Sequence, residues 1–233
     1  MTSHTTTDAG FDQARFNMIE QQIRPWQVLD GEVLRLLGRV HREDFVPAVH
    51  RSLAFADMAL PLTHPAVEDQ VMLPPKLEAR MLQDLNLNPT DKVLEVGTGS
   101  GHMAALLASL SRRVVSIEID EALARMAREN LKNAGITNAD VRTADAAANG
   151  FAACATEAPW DAIVLSGSVA EIPQALLPLL APGGRLLAIV GNEPVMRATI
   201  VTRVADATYR TAQPWDSMAP RLRNFPEPSR FQF

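Results

Sequence analysis

The 233-residue chain is short of cysteine, since Cys154 is the only one. A single thiol cannot form an intramolecular disulfide, and it cannot build a metal cluster from several thiolates. We expect Cys154 to be a small buried apolar residue. The sequence assigns no residue to a metal ion.

Long apolar runs and basic stretches are scarce as well. No uncharged apolar run approaches the roughly 20 residues of a transmembrane helix, and residues 1–15 lack the basic start and apolar run of a secretory signal. The net charge of −5 and the pI near 5.6 provide no long-range attraction to nucleic acid or anionic lipid. These absences predict a soluble cytoplasmic protein that binds neither nucleic acid nor a membrane.

The remaining composition is that of an ordinary globular protein. Apolar residues make up 47% of the chain and charged residues 21%. The length suits one α/β domain with a modest extension. We therefore divide the chain into residues 1–88, a helical extension that ends in an irregular loop, and residues 89–233, a Rossmann-like domain with a C-terminal tail.

The first part of the chain has helical spacing. Residues 1 to about 10 are polar and predict a frayed tail. Apolar residues recur at helical intervals from Phe11 to about His50 and again from Leu77 to Leu85. Residues 51–75 contain four prolines and predict an irregular loop. We expect the helices between Phe11 and Leu53 to pack over the mouth of the ligand site.

Strand and helix patterns alternate after Lys92. We predict strands at residues 92–96, 114–119, 140–143, 161–165 and 185–190, and helices at 103–110, 121–134 and 175–180. Such alternation favours parallel strands joined by right-handed crossovers, with helices on both faces. Residues 199–204 and 208–212 have the pattern of an antiparallel edge hairpin. The expected fold is an α/β, Rossmann-like, doubly wound and mostly parallel sheet with an N-terminal helical extension.

Three glycines with alternating spacing follow the first predicted strand and precede the first predicted helix of this domain. Gly97, Gly99 and Gly101 let the backbone turn sharply and approach a ligand closely, although a tight turn without a ligand needs the same residues. The spacing G-x-G-x-G differs from the dinucleotide pattern G-x-G-x-x-G/A. The chain also lacks the P-loop pattern G-x-x-x-x-G-K-[ST].

Carboxylates next to this loop indicate the ligand. Glu95 would repel a pyrophosphate, but it suits a ligand with an ammonium group such as S-adenosylmethionine. Glu118 ends the second strand, where a carboxylate accepts hydrogen bonds from ribose hydroxyls. Asp145 follows the third strand and would reach the adenine edge, although it also suits a helix cap. The predicted cofactor-binding residues are Glu95, Gly97, Thr98, Gly99, Ser100, Gly101, His102, Glu118, Asp145 and Ala146.

The sequence resembles class I methyltransferases and, within them, the protein-L-isoaspartate O-methyltransferase family. Residues Val93–His102 are similar to the family's V-L-E-I-G-T-G-S-G-Y, and Arg42–Pro47 to its more particular R-E-x-F-V-P. Ala158–Val164 is similar to A-P-F-D-x-I-x-V, and Leu180–Leu186 to L-x-P-G-G-x-L. The resemblance implies S-adenosylmethionine-dependent methyl transfer to the carboxylate of isoaspartyl residues in proteins or peptides.

The sequence departs from the family in the part that serves the acceptor. The family segment Q-T-I-S-Q-P, whose hydroxyls serve the isoaspartyl site, is Gln70–Pro75 here, with Val71 and Leu73 in place of both hydroxyl residues. The preceding residues 62–69 are more numerous than in the family pattern. We therefore expect isoaspartyl methylation to be weak or absent compared with a typical member, because a desolvated substrate carboxylate needs donors.

The sequence alone assigns neither the methyl acceptor nor the catalytic residues. A carboxylate acceptor is ionised at neutral pH and needs no base, whereas a hydroxyl or amine acceptor would need one, for which His64 and His102 are candidates. The alternatives are an isoaspartyl methyltransferase, a methyltransferase with a small apolar-bodied acceptor, and a non-catalytic cofactor-binding module. Residues 220–225 form either a loosely packed terminus or a cover over the acceptor mouth.

Overall fold

The computed structural model describes residues 4–228 and the side chains from residue 10 onward. Helix α1 (His4–Met18) continues into a π-helical turn at Ile19–Ile23 and a 3-10 turn at Arg24–Trp26. This run ends at Gln27, which has a left-handed backbone with φ of 62°. The expected frayed tail is therefore wrong from His4 onward, and residues 1–3 lie outside the described residues.

Helix α2 (Gly31–Arg39) begins at a carboxylate cap. The Oδ1 atom of Asp30 accepts hydrogen bonds from the backbone N–H groups of Glu32 at 2.7 Å and Val33 at 3.1 Å. Such a cap contributes about 1 kcal/mol to helix stability. The apolar stripe predicted from the sequence is buried, and its members on this helix are Val33, Leu34, Leu36 and Leu37.

Short elements connect α2 to the Rossmann-like part. Two 3-10 turns, Arg42–Asp44 and Ala48–Leu53, precede a two-stranded antiparallel ribbon. The ribbon pairs Leu60 with Met72 and Pro61 with Val71, and its strands are β1 (Leu60–Pro61) and β2 (Val71–Met72). Helix α3 (Pro75–Leu85) follows, with proline at its first helical position, where the missing N–H costs no hydrogen bond.

A seven-stranded sheet forms the centre of the molecule, in the order β5-β4-β3-β6-β7-β8-β9. The strands from β5 to β7 in this order are parallel to one another, whereas β8 pairs antiparallel with both β7 and β9. This confirms the predicted mostly parallel sheet with an antiparallel edge hairpin. The strands are β3 (Lys92–Val96), β4 (Arg113–Glu118), β5 (Ala139–Thr143), β6 (Trp160–Val169), β7 (Leu180–Asn192), β8 (Val195–Ala205) and β9 (Thr208–Ala212).

Helices cover both faces of the sheet. Alternate strand residues such as Val93 and Val164 pack in one core with α3, α4 (His102–Leu110) and α5 (Glu121–Asn133). Their neighbours, such as Leu94 and Ile163, pack in a second core with residues of α6 (Ala148–Ala155) and of the 3-10 segment 174–179. The alternation follows from the two-residue period of a strand.

The sequence patterns predicted only part of the secondary structure on this second face. The predicted helix at 175–180 is a 3-10 segment at Gln174–Leu179, with Pro178 inside it, and proline removes an α-helical donor. Helix α6 was not predicted, because left-handed residues Asn149–Phe151 interrupt it and its apolar spacing is irregular. Strands β6 and β7 extend beyond their predicted ends.

The N-terminal helices pack beside the ligand site and not over its mouth. Helix α2 contacts α3 and α4, and the ring of Phe45 lies 5.3 Å from that of His102. The cleft at the carboxyl ends of the parallel strands is lined by no side chain of residues 11–53 among those described, so the expected cover of the mouth by these helices is wrong. None of the helices described is long and apolar enough to span a membrane.

Candidate functional site

The central cleft lies at the carboxyl ends of β3, β4 and β6. The chain runs from β3 to β4 and β5 on one side of β3 and continues with β6 on its other side, so the strand order changes direction between β3 and β6. Ligands of doubly wound sheets bind at this switch point. The cleft is concave and is lined by both polar and apolar side chains, as small-molecule sites are. Its lining comes from the glycine loop (residues 97–101), the ends of β4, β5 and β6, the 62–73 loop and the C-terminal segment (residues 219–225).

Two glycines of the loop are required by close contacts. Gly99 has φ of +54°, and a Cβ there would lie 3.3 Å from Leu62 Cδ1. Gly101 has φ of +85°, and a Cβ there would lie 3.2 Å from backbone and side-chain atoms of Ala127 on α5. A side chain at either position would meet both backbone strain and a neighbour. The loop therefore passes tightly between the cleft and α5.

Glu118 lines the cleft and is held by the backbone. Its Oε2 accepts a hydrogen bond from the N–H of Gly99 at 2.8 Å, and its Oε1 accepts from the N–H of Asp120 at 3.0 Å. Burial raises the pKa of this carboxyl, although the two N–H donors oppose the shift. Each carboxylate oxygen retains acceptor capacity, so Glu118 is able to accept from ligand hydroxyls. Ribose binding by Glu118 stays a prediction.

Glu95 is fully buried beneath the glycine loop and is not among the residues lining the cleft. Its oxygens accept hydrogen bonds from Ser116 Oγ at 2.6 Å and Ser166 Oγ at 2.8 Å. Ser116 Oγ also lies 2.5 Å from Thr98 Oγ1, and either of these hydroxyls is able to donate to the other. Burial raises the pKa of Glu95 to about 8. Its predicted contact with an ammonium group stays a prediction.

Asp145 is not the helix cap that its position also suggested, because Ala147 precedes α6 and no side chain caps this helix. It lines the cleft together with the buried Ala146. Its Oδ1 accepts from the N–H of Ala147 at 3.0 Å, a turn-type local bond, and its Oδ2 accepts from Asn224 Nδ2 at 2.8 Å. The carboxylate is thus fixed from both sides at the wall of the cleft. Its contact with adenine stays a prediction.

The other predicted cofactor residues separate into two groups. Gly97 and Gly99 line both the central cleft and a smaller cavity behind the loop, whereas Thr98, Ser100 and His102 line only the smaller cavity. Gly101 begins α4 with a left-handed backbone and lines neither cavity. The structure therefore brings Gly97, Gly99, Glu118, Asp145 and Ala146 together around the cleft.

A buried chain of ionisable side chains, Arg42, Glu78 and His102, lies at the smaller cavity. Arg42 forms an ion pair with Glu78, and Glu78 Oε2 lies 2.9 Å from His102 Nδ1. Arg42 also donates to the carbonyl oxygens of Ala54 at 2.9 Å and Leu73 at 2.5 Å. Burial favours a raised pKa for Glu78, but His102 and Arg42 outweigh burial and lower it. The chain connects the N-terminal helices, the 62–73 loop and α4.

The two histidines considered as bases lie in different places. His64 is exposed and is absent from the lining of both cavities. His102 is 2% exposed, and its Nε2 has no hydrogen-bond partner among the side chains and backbone described. Glu78 could not be identified from a sequence motif, although one signal was present: it stands one turn before the buried Leu82 on the apolar stripe of α3.

The 62–73 loop closes one side of the cleft. Gln70 Nε2 donates to Asp120 Oδ2 at 2.9 Å, and the N–H of Leu62 donates to the carbonyl of Gln70 at 2.9 Å. Val71 lines both cavities, and the buried Leu73 lines the smaller one. These are the two positions at which the family pattern has hydroxyl residues. Their side chains offer no donor to an acceptor.

The residues present fit S-adenosylmethionine. Ile117, Ala146 and Phe225 supply apolar walls for a nucleoside base, and Glu118 and Asp145 supply acceptors for hydroxyl and amino groups. Among the described residues, the cations in the lining are Arg221 and Arg223, and each is within hydrogen-bond distance of a carboxylate. The lining therefore matches a nucleoside better than a phosphate-rich dinucleotide.

The chain is similar over most of its length to proteins of one methyltransferase family. The family described as Protein-L-isoaspartate(D-aspartate) O-methyltransferase (PCMT) matches residues 13–214. The protein-L-isoaspartate O-methyltransferase of Koribacter versatilis is 38% identical over 202 residues, which cover 87% of either chain. That of Methanoculleus marisnigri is 42% identical over 177 residues, 76% of this chain and 77% of the relative.

A solved structure extends the likeness to the fold. The crystal structure of a Plasmodium falciparum protein described as a protein-L-isoaspartate O-methyltransferase, in complex with S-adenosyl-L-homocysteine, matches with a TM-score of 0.72. The two chains are 20% identical, and the match covers 91% of this chain and 98% of the other. At this identity the likeness supports the predicted Rossmann-like fold.

Proposed function

The chain belongs to the protein-L-isoaspartate O-methyltransferase family, and we propose that it transfers a methyl group from S-adenosylmethionine to the carboxylate of isoaspartyl residues in proteins. The observation that carries this proposal is the central cleft, in which the glycine loop, Glu118 and Asp145 meet at the switch point of the sheet. Family membership supplies the acceptor class. The reaction forms a methyl ester and leaves S-adenosylhomocysteine.

The chemistry asks the protein mainly for positioning. When bound, S-adenosylmethionine supplies a methyl group already activated on a sulfonium. An isoaspartyl carboxylate is ionised at neutral pH, so no side chain has to remove a proton. Alignment of the two reactants is then the main contribution to rate. Leu62 and Val71 line the same cleft as Gly97 and Gly99, and there they would exclude water from the reacting groups.

Named residues take distinct roles in this proposal. Glu118 accepts hydrogen bonds from the ribose hydroxyls. The glycine loop lets the protein backbone approach the cofactor closely. Asp145 and Ala146 bind the adenine edge. Glu95 supports the amino-acid end of the cofactor through its serine partners. Arg42 is a positioning residue, because it holds the carbonyl of Leu73 in the 62–73 loop.

The acceptor side accounts for a lower expected rate. Val71 and Leu73 donate no hydrogen bond to a substrate carboxylate, and Ser166 Oγ, which lines both cavities, donates to Glu95. An isoaspartyl carboxylate in this cleft would keep fewer partners than the family's hydroxyl pattern provides.

A small acceptor with an apolar body is the second candidate substrate. The observation that favours it is the apolar character of the lining near the glycine loop, to which Leu62, Val71 and Leu222 contribute. Such a wall binds an apolar body without leaving unpaired donors in the protein. A hydroxyl or amine acceptor of this kind would need a base in the cleft.

The test measures transfer of labelled methyl from S-adenosylmethionine to an isoaspartyl peptide, with the aspartyl isomer as the acceptor control and Gly99→Val as the protein control. Label in the isoaspartyl peptide alone, released by mild base as expected for an ester, supports the proposal. Cofactor binding without label in either peptide would overturn the isoaspartyl assignment. Binding with turnover of a small apolar acceptor would then support the second candidate, and binding without any turnover a non-catalytic module.

A further inference from the structure

The smaller cavity adjoins the central cleft at the glycine loop. Its volume is about 20 Å³, which is room for one group of about the size of a water molecule. Four residues line both spaces, so that the two meet at this shared wall; they are Val71, Gly97, Gly99 and Ser166. The smaller cavity therefore suits the polar end of an acceptor, and the body of the acceptor would stay outside it.

The lining of the smaller cavity is poor in free hydrogen-bond donors. Val71 and Leu73, the two positions at which the family pattern has hydroxyls, both line it. Neither side chain is able to donate, and Ser166 Oγ already donates to Glu95. A carboxylate that enters this cavity needs a donor from another residue, because a desolvated anion without partners is unfavourable.

His102 brings an unpaired nitrogen to the same lining. Its side chain is 2% exposed. Among the lining side chains described, Nε2 of His102 is the buried nitrogen or oxygen that has no hydrogen-bond partner. Because an unpaired buried polar atom destabilises the protein, a ligand group that bonds to Nε2 removes a penalty already present in the free chain.

Glu78 fixes the ring of His102 and the proton on its other nitrogen. Nδ1 lies 2.9 Å from Glu78 Oε2. Although burial acts to raise the pKa of Glu78, His102 and Arg42 lower it, so Glu78 is ionised and accepts from Nδ1–H. The ring of Phe45 packs edge-on against the imidazole, with 5.3 Å between the centroids. The imidazole is therefore held on two sides.

A carboxylate at Nε2 would balance the charges of this buried chain. With Nδ1–H bonded to Glu78, Nε2 donates only when the ring takes up a second proton. The chain then contains two cations, Arg42 and His102, and one anion, Glu78. An incoming carboxylate supplies the second anion, and because neighbouring opposite charges favour each other's ionised forms, the proton and the carboxylate should bind together.

We propose that His102, positioned by Glu78, binds the acceptor carboxylate through Nε2–H and takes the place of the hydroxyls that Val71 and Leu73 lack. The inference rests on the proposed function, since it takes an isoaspartyl carboxylate as the acceptor. The carboxylate oxygen that is not methylated accepts from Nε2–H, and the proton stays on His102 during the transfer. A methyl ester carries no charge, so this hydrogen bond weakens once the product has formed. His102 thus has an acceptor role in place of the cofactor contact predicted from the sequence.

The experiment titrates a short isoaspartyl peptide into the full-length chain saturated with S-adenosylhomocysteine, so that acceptor binding is measured without turnover. His102→Asn places an amide near the position of Nδ1 and nothing at Nε2, and it should weaken peptide binding roughly tenfold. His102→Gln places its amide nitrogen near Nε2 and should bind with intermediate affinity. His64→Asn, at an exposed site outside both cavities, is the matched control. The affinity of every variant for S-adenosylhomocysteine should stay within about twofold of the wild type.

Protonation of the ring can be observed directly in the wild type. ¹⁵N NMR of the histidine-labelled chain, which has five histidines, should show one Nε2 signal that becomes protonated when the peptide binds and that is missing in His102→Asn. Thermal melting without ligand checks that the variants fold. Should His102→Asn melt below the assay temperature, His102→Gln and the wild-type NMR signal decide the question.

Unchanged peptide affinity in a folded His102→Asn variant would overturn the proposal, and so would an Nε2 that stays unprotonated in the complex. A lower kcat with an unchanged KM in His102→Asn would overturn it too, because that pattern assigns His102 to the chemical step and not to acceptor binding. Peptide binding that depends on His102 without any methyl transfer would contradict the proposed function alone. Wild-type protein that binds S-adenosylhomocysteine but not the peptide would contradict both the isoaspartyl assignment and the role of His102.

Discussion

The carboxylate of Glu118 accepts a hydrogen bond from the backbone N–H of Gly99, with 2.8 Å between the two heavy atoms. The end of β4 and the glycine loop after β3 are therefore joined directly. Because the second oxygen of Glu118 is bonded to the N–H of Asp120, the carboxylate has a fixed position before any ligand binds. A preorganised acceptor of this kind loses little entropy when a ligand hydroxyl binds.

Replacement of Glu118 by alanine should weaken binding of S-adenosylhomocysteine by roughly tenfold or more, since two ribose hydroxyls would lose an acceptor worth ~1 kcal/mol each. The same change also releases Gly99. Calorimetric titration measures the effect, and Glu121→Ala, at an exposed site on α5, is the control. Wild-type affinity in the Glu118 variant would contradict ribose binding by this carboxylate.

A valine at position 99 should abolish cofactor binding. Gly99 has φ of +54°, which a β-branched residue rarely adopts, and a Cβ would lie 3.3 Å from Leu62 Cδ1. Gly38→Val is the control for the glycine change itself, because a Cβ at Gly38 meets no atom within 4 Å. Retained binding by Gly99→Val, or tighter wild-type binding of a nicotinamide dinucleotide than of S-adenosylhomocysteine, would refute the cofactor assignment.

Glu95 should make the stability of the ligand-free protein depend on pH. Burial raises the pKa of Glu95 to about 8, whereas a glutamate in an unfolded chain titrates near pH ~4.3. Between these values the folded state binds more protons than the unfolded state. The free energy of unfolding therefore falls as the pH rises through this window and is constant, for this group, above it.

The variant Glu95→Gln carries no titrating group at this position. Its stability relative to the wild type should increase between about pH 5 and pH 8, by an amount on the order of a few kcal/mol. Chemical denaturation at a series of pH values measures the difference, and Glu121→Gln controls for a lost surface charge. A pH-independent difference between the variant and the wild type would show that Glu95 is ionised throughout.

The strands around the site could be predicted closely from the sequence. Strand β3 has the predicted bounds, and β4 is displaced by one residue, because continuous apolar runs between turn residues mark buried parallel strands. Asp145 was identified by its place after a strand. Its bond to Asn224, 79 positions later in the chain, depends on tertiary packing that no local pattern encodes.

Other parts could not be predicted for the same physical reason. The C-terminal segment has no regular period, and its structure comes from pairing with Ser168 on β6. The buried Arg42–Glu78 pair is also non-local, since its members are 36 positions apart. Charged residues in an amphipathic pattern are ordinarily assigned to the solvent, and only the apolar neighbours of Glu78 indicated otherwise.

Breaking this pair should destabilise the protein strongly. Arg42 and Glu78 are both buried, so Arg42→Met leaves a buried carboxylate without its guanidinium partner, at a cost of ~3–5 kcal/mol. The double variant Arg42→Met/Glu78→Met should recover much of that loss. Denaturant titration measures both variants, and the exposed Arg35→Met should differ from the wild type by less than ~0.5 kcal/mol. Equal stability of the wild type and Arg42→Met would contradict a role for the pair.

The acceptor loop carries the prediction with the greatest consequence for function. Isoaspartyl methylation by this chain should be about a hundredfold slower than by a relative that has both hydroxyls, because two lost donors at ~1.5 kcal/mol each would account for that factor. Methyl transfer to an isoaspartyl peptide, with its aspartyl isomer as control, measures the rate for this chain and for such a relative side by side.

Val71→Thr is the first variant to test, because Val71 lines the cleft and threonine has nearly the same shape. Its hydroxyl would lie in the cleft and should raise the turnover of the isoaspartyl peptide by roughly tenfold. Leu73→Ser adds the second donor, but it also leaves a void at a buried position whose backbone Arg42 holds, so its gain should be smaller. Val67→Thr, on the same loop but outside the cleft lining, should change nothing. Fast, isomer-selective turnover by the unmodified chain would show that other groups, such as Ser166, hold the substrate carboxylate in place of the missing hydroxyls.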